Sequence, residues 1–459
     1  MATQENFETG TAPDTHSGSH SGSNLALLET GLQQSKKAAG QMTLLTAEQK
    51  NAALAGLAKL IDENRTSLLE ANQADLQAAK ESGLSKALFN RLKLDDNKLT
   101  QVVQGINDLM QLPDPTNQVL SRTELDTDLV LEKQSVALGL VGIIFESRPD
   151  VLPQVVSLII KSGNAVVLKG GQESSQSNLA MMTLIKKLTE QLDFLPEGWA
   201  LLLDSREAVH QMLYYPQYID LIIPRGSNQL VQTIMANTAI PVLGHADGVC
   251  HIYIHDSADI VDALAVVIDA KTQYPAACNA VETLLIDESI AESFLIGFWE
   301  VCASTGIALR GCKQSQQILA DDGKSIDLAS DEDWHTEYGN LTLAVKVVSG
   351  VEEAIGHINQ YGSHHTDAIL SAEKPVIEQF LNAVDSACVF ANASTRFADG
   401  FRFGFGAEVG ISTAKIHARG PVGLEGLVTY KYKLRGKNQV VNDYTGSNAK
   451  TFSHKPLTL

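Results

Sequence analysis

The feature that most constrains the fold is a repeated spacing of short apolar runs separated by segments long enough to be helices. Runs at 136–145, 165–168, 200–203, 219–223 and 240–243 form one series; runs at 249–254, 282–286, 343–348, 368–370 and 387–390 form another. A strand apolar on both faces needs cover on both, which a parallel sheet with helical crossovers supplies. The spacing predicts an α/β fold with two α/β domains joined near Gly248. Ahead of them, 25–83 carries Leu54, Leu57, Ile61, Leu68 and Leu69 at helical spacing, with Gly83 as a stop. A further helical stretch, 98–112, ends at Pro113-Asp114-Pro115. Residues 125–134 alternate charged and apolar side chains like an exposed strand in an arm, and β-like alternation returns from 427 to 433.

Charge narrows the partners. With 35 Lys+Arg against 54 Asp+Glu the net charge is −19, which disfavours nucleic acid and anionic membrane surfaces. No apolar run reaches the roughly 18 residues that would suggest a membrane span. Cys250, Cys278, Cys302, Cys312 and Cys388 form no C-x-x-C pair, which argues against a zinc site or a disulfide framework and for a reducing cytoplasm. No metal is expected. Residues 1–24 contain no Lys or Arg and no apolar stretch, so they read as a disordered tail rather than a targeting signal; His16 and His20 within it carry no further expectation. Small-molecule chemistry is the default.

The common nucleotide and hydrolase motifs fail. Ile318 stands where a phosphate loop ending in Gly323-Lys324-Ser325 needs glycine, and the third glycine of the run from Gly404 to Gly410 comes one place too late for a dinucleotide fingerprint. Neither G-x-S-x-G nor H-E-x-x-H occurs. Four segments remain chemically loaded. Glu146-Ser147-Arg148-Pro149-Asp150 follows an apolar run, and the carboxyl edge of a parallel sheet is where ligands bind. Lys169-Gly170-Gly171 ends the next run with a cation and two glycines that admit close approach. Cys278 follows a Pro-containing turn and precedes a strand, a setting for a reactive thiol as well as for inert packing. A Gly-rich run from Asn392 through Arg396, Arg402, Glu408, Lys415, His417 and Arg419 suits an anionic substrate.

Together the stretches GIIFESRPDV, SGNAVVLKGG, IDLIIPRGSN, GHADGVCHIY, CNAVETLL, EYGNLTLAVKVV, GSHHTDAI, NASTRFADGFRFGFGAEVGIST and HARGPVGLEGL closely resemble the γ-glutamyl phosphate reductases, a family of the aldehyde dehydrogenase superfamily. The resemblance covers about residues 25 to 440. It implies an aldehyde dehydrogenase-like fold of two Rossmann-like α/β domains plus a β-flap: a cofactor-binding domain over 25–252, interrupted by the arm 123–140 and with a return segment at 403–424, a catalytic domain over 253–402, and an oligomerisation flap from 123–140 and 425–459. The implied reaction is NADPH-dependent reduction of L-glutamyl 5-phosphate to L-glutamate 5-semialdehyde with release of phosphate, the second step of proline biosynthesis from glutamate. The alternative is a hydrolytic NAD(P)-dependent aldehyde dehydrogenase of another substrate.

Residue by residue, the resemblance makes Cys278 the nucleophile that forms a thioester and Arg148 the group that holds the oxyanion or the leaving phosphate. Ser147, Lys169, Gly170, Gly171, Gly226, Ser227, Glu337 and Phe403 become cofactor contacts, and neutral Gln172 favours NADP. Asn279, Asn392, Ser394, Thr395, Arg396, His417 and Arg419 become substrate contacts. Hydrolytic relatives carry a Glu-Leu-Gly-Gly motif whose Glu activates water; Gly244-His245-Ala246-Asp247-Gly248 stands there, with His245 or Asp247 the only substitutes for that base. Departures from the family pattern are Pro275-Ala276-Ala277 ahead of the cysteine and Asp150 after ESRP. A homo-oligomer is implied, as is a transient contact with a separate glutamate 5-kinase, because the acyl phosphate is labile.

Overall fold

The computed structural model describes residues 21–244, 247–405 and 408–459. Two parallel sheets dominate. The first has the order Ala200–Leu202, Ala165–Lys169, Leu140–Phe145, Leu221–Arg225, and Val242 bridges Ile222 at its edge. The second has seven strands in the order Asp327–Leu328, Ala308–Gly311, Thr342–Val348, Val281–Asp287, Cys250–Ile254, Thr366–Leu370, Cys388–Ala391, every neighbour parallel. Mixed apolar strands and helical crossovers produce this arrangement because each strand buries side chains on both faces.

The central strands show that burial. All residues of Leu140–Phe145, Ala165–Lys169 and Val281–Asp287 are buried. The helix Val151–Ser162 is buried nearly all round, packed beside the helices Ala47–Glu63 and Asp96–Gln111. A buried residue at every position of a helix needs a layer on each side. In the second sheet, Val267, Phe294 and Phe298 cover one face; Ile358 and Phe380 join Tyr253 on the other.

Several boundaries differ from the sequence reading for identifiable reasons. The run 136–145 is broken at Gly139 (φ +130°) into the end of Leu129–Ala137 and the start of Leu140–Phe145. The run 240–243 forms only a bridge, because Pro241 has no N–H to donate. The strands Ala308–Gly311 and Asp327–Leu328 carry too little apolar patterning to be read from sequence. The first helix, Ser21–Met42, starts inside the expected 1–24 tail; the rest of that tail, with His16 and His20, lies outside the described residues.

The stretch 125–134 belongs to a hairpin of Val119–Asp126 and Leu129–Ala137. Val428–Arg435 and Lys455–Pro456 extend it to a four-stranded antiparallel sheet. Glu132 ties this sheet together, accepting from Arg122 and Arg435. Val428–Arg435 is an edge strand with Tyr430, Tyr432 and Leu434 exposed. Among the described residues, no helix is long and apolar enough to cross a membrane.

Candidate active site

The chemically loaded segments converge where the carboxyl ends of the first sheet face the amino ends of the second. Cys278 lies in the turn between the helix Ile260–Thr272 and the strand Val281–Asp287 and is partly exposed. Gly248, just before the strand Cys250–Ile254, packs directly on it. A Cβ on Gly248 would lie 2.2 Å from the Cys278 carbonyl oxygen and 2.6 Å from its Cα, so only glycine permits this contact. Behind the turn, the buried Cys250 thiol donates to the Cys278 carbonyl (3.2 Å).

Burial pushes the Cys278 thiol up to about 12, with the carboxylates of Glu337 and Glu408 adding to the rise and Arg396 opposing it. In this ligand-free form the thiol is protonated at neutral pH. Glu337 is pinned by two donors, the Gly248 N–H (3.1 Å) and Asn228 Nδ2 (3.0 Å). Glu408 accepts from the Gly400 N–H (2.9 Å), and burial raises its carboxyl above the usual range. Asp247 accepts from Asn228 (2.7 Å); His245 lies outside the described residues.

Beneath the turn, Lys271 and Glu282 form a fully buried ion pair at 2.5 Å. The second Glu282 oxygen accepts the Gly339 N–H (3.2 Å). Tyr338 donates to Asp333 (2.7 Å), which also receives Arg310 (2.7 Å). These contacts fix the loop that carries Glu337.

The first sheet contributes a cradle. Ser147 (φ +39°) donates through its N–H (2.7 Å) and hydroxyl to Glu173. Lys169 is buried, its amine on the Gly170 carbonyl, and burial draws its pKa down while Glu173 opposes that. Gly170 and Gly171 lie under Asn178 and Glu173, where a Cβ would come within 2.1 and 2.0 Å of those side chains. Gly226 and Ser227 open the helix Asn228–Ala236, and the Ser227 N–H donates to the Glu146 carboxylate (2.9 Å). Here a side-chain anion holds an amide of the kind that phosphates seek at a helix N-terminus. The glycine cradle and this anion-accepting turn fit the pyrophosphate and ribose of a dinucleotide. Gln172 is exposed.

The expected substrate residues divide into two groups. Ser394, Thr395, Arg396 and Asn279 gather near the thiol: Asn279 Nδ2 donates to the Ala398 carbonyl (2.8 Å), and Arg396 donates to Gln273 (2.9 Å). Buried Asn279 Oδ1 and Thr395 Oγ1 have no hydrogen-bond partner among the described residues. The others are tied elsewhere. The Asn392 amide donates to and accepts from the Ser371 backbone (2.9 Å each); His417 donates to the Gly426 carbonyl (2.9 Å); Arg419 is held by Asp385 and Thr413. Phe403 packs edge-to-face on Phe390 and Phe405. Arg148 lies within electrostatic reach of Arg225.

Sequence reasoning missed four contributors: Glu173, Asn228, Arg225 and the Cys250 thiol. Glu173, Asn228 and Arg225 sit within a few residues of the glycine turns, which was the available signal; Cys250 had none beyond its strand position.

The aldehyde dehydrogenase family profile matches residues 14–307. The chain is 50% identical over 430 residues to γ-glutamyl phosphate reductase of Brachyspira hyodysenteriae, spanning 93% of this chain and 98% of that protein. It is 48% identical over 437 residues to the Methanosarcina acetivorans protein of the same name, spanning 94% and 98%. The crystal structure of γ-glutamyl phosphate reductase from Thermotoga maritima superposes with a TM-score of 0.87 at 38% identity, covering 90% of this chain and 99% of that one. Glyceraldehyde-3-phosphate dehydrogenase from Methanocaldococcus jannaschii, complexed with NADP, shares the fold at a TM-score of 0.63 and 15% identity, covering 90% of each chain.

Proposed function

The chain belongs to the γ-glutamyl phosphate reductases, within the aldehyde dehydrogenase family, and from that membership we propose that the Cys278 thiol carries its chemistry. It is an oxidoreductase that reduces L-glutamyl 5-phosphate to L-glutamate 5-semialdehyde, a step of proline biosynthesis. It uses a nicotinamide cofactor, which supplies the hydride when bound.

The observation that supports the reading is the packing of Gly248 on Cys278, which holds a partly exposed thiol in a turn on which the Arg396 charge acts. The thiolate attacks the acyl carbonyl, a C–S bond forms, the bond to the phosphate oxygen breaks, and phosphate leaves. Glu408, made more basic by burial, is the proton acceptor for the thiol. Arg148 stabilises the oxyanion or the departing phosphate. Asn279 Oδ1 and Thr395 Oγ1, with Ser394 and Arg396, hold the substrate's ammonium and carboxylate.

Gly170, Gly171, Gly226 and Ser227 seat the cofactor phosphates, Glu337 the nicotinamide ribose, and Ser147, Lys169 and Phe403 its flanks. NADP is the preferred form. The neutral, exposed Gln172 supports this, as does Arg206, whose charge acts on Lys169. Asp247 is already engaged by Asn228, which weakens it as a base for water and disfavours the hydrolytic alternative. The 25–252, 253–402 and flap divisions stand as the functional domains except at 252/253, which falls inside the strand Cys250–Ile254 of the second sheet and moves to just before it. Exposed Tyr430, Tyr432 and Leu434 on an edge strand support a homo-oligomer; five free cysteines suit a cytoplasmic protein. A transient contact with a separate kinase would protect the labile substrate.

The test is NADP reduction with pyrroline-5-carboxylate, with and without inorganic phosphate, beside Cys278→Ala. Phosphate-dependent turnover that falls on the order of 10⁴-fold in the variant is expected. Phosphate-independent turnover would move the protein to the hydrolytic reading.

A further inference from the structure

Among the described residues, several buried or half-buried cations have an acid within ion-pair distance, while Lys161 and Lys169 rest on neutral oxygens instead. Lys50 meets Asp114, Lys271 meets Glu282, Arg122 meets Glu132 and Arg419 meets Asp385. Arg225 does not. It ends Leu221–Arg225, the last strand of the first sheet beside Leu140–Phe145, level with Phe145. It is partly buried, and its only side-chain hydrogen bond among the described residues is a long one, 3.4 Å, to the Glu408 backbone carbonyl. The groups acting on it are the acids Glu408 and Asp150, the Cys278 thiol and a second cation, Arg148. The Arg148 guanidinium likewise forms no ion pair or hydrogen bond among the described residues.

Two guanidiniums near the ends of paired strands and within electrostatic reach of each other, neither bonded to a carboxylate, oppose each other and carry a desolvation cost. An anion entering with the substrate removes both penalties, and the planar guanidinium matches phosphate bidentately. We infer that Arg225 holds the phosphoryl group of the acyl phosphate, and inorganic phosphate in the reverse direction. This rests on the proposed thioester route. In reverse, a phosphate oxygen attacks the Cys278 thioester carbonyl, the C–O bond forms, the C–S bond breaks, and the electron pair returns to sulfur as thiolate. Arg225 supplies no proton in either direction; it places the dianion and offsets its charge.

The test uses the full-length protein oxidising pyrroline-5-carboxylate with NADP while phosphate is varied, comparing Arg225→Gln and Arg225→Lys with the native chain. The KM for phosphate should rise about tenfold or more in Arg225→Gln, with partial recovery in Arg225→Lys, as expected for loss of a charge-assisted hydrogen bond. The KM for pyrroline-5-carboxylate should move by less than about twofold, since uniform binding of that substrate is untouched. An unchanged phosphate KM in either folded variant, or equal rises in both KM values, overturns the inference. A phosphate-free burst of NADPH from the native protein checks the underlying route separately. Its absence would overturn the thioester reading and this inference with it; a burst with unchanged phosphate KM would overturn this inference alone.

Discussion

The first parallel sheet meets the site with the carboxyl ends of its strands, the second with the amino ends. Ser147, Lys169 and Arg225 follow or end strands of the first sheet. Gly248, Cys278 and Glu337 precede strands of the second. The difference has a physical basis. At a carboxyl edge the chain turns into helix N-termini, whose free N–H groups draw anions, as Ser227 draws Glu146. An amino edge has no such field, so its reactive groups must be held by side-chain contacts. The second sheet uses a buried ion pair, a glycine contact and the Cys250 thiol for this; the first uses partly exposed carboxylates on backbone amides.

Breaking the buried pair should have the largest effect. Lys271→Met leaves Glu282 without its partner and should cost about 3 kcal/mol or more in a denaturant melt, as removal of one member of a buried pair does. Glu146→Gln, which loosens the first edge, should stay within about 0.5 kcal/mol of the native protein. Equal losses would end the distinction between a rigid and an adjustable edge.

Glycine substitution compares the same two edges at the level of catalysis. Gly248→Ala forces a carbon against Cys278 backbone and should lower kcat about 10²-fold in a protein that still folds, because displacement of the reacting group is what slows the step. At Gly226 the added carbon meets the end of the Glu146 side chain at 2.7 Å, which can turn aside; that variant should show a raised KM for the cofactor and little else. A Gly248→Ala enzyme with native kcat would remove the contact from the mechanism.

The smallest effect sharpens the contrast in charge. With its thiol near 12 in the ligand-free protein, Cys278 is protonated across the working range, and the thiolate fraction grows tenfold per pH unit. Inactivation by iodoacetamide should climb about tenfold per unit from pH 7 to 9 and continue to rise, whereas an ordinary thiol near 8.5 levels off. A plateau by pH 9 would show that the amino edge activates the thiol without ligands.

Much of this architecture was legible. The apolar runs located nearly every strand of the two parallel sheets, because burial on both faces leaves a continuous apolar signal. The failures came where that signal is absent: Asp327–Leu328 is exposed along its length, and Pro241 reads as apolar although it cannot complete a ladder. Within the site, Cys278 and the glycine turns stood out by residue type, and the structure sets them close to one another. Asn392, His417 and Arg419 looked equivalent to Ser394, Thr395 and Arg396, since all lie in one polar stretch. Their hydrogen bonds set them apart, and a partner such as Ser371 or Asp385 is far enough away in sequence to leave no local trace.

By itself, the sequence determined the α/β class, because periodicity is a local property that survives without coordinates; its ordered motifs carried the resemblance to the family and, through it, the proposal of Cys278 as the nucleophile. Tertiary structure decided which strand ends face each other, which cations have acids beside them and how deeply the thiol is buried. Those quantities depend on distances between segments a hundred or more residues apart, and both Coulomb interaction and desolvation are set by those distances rather than by order along the chain.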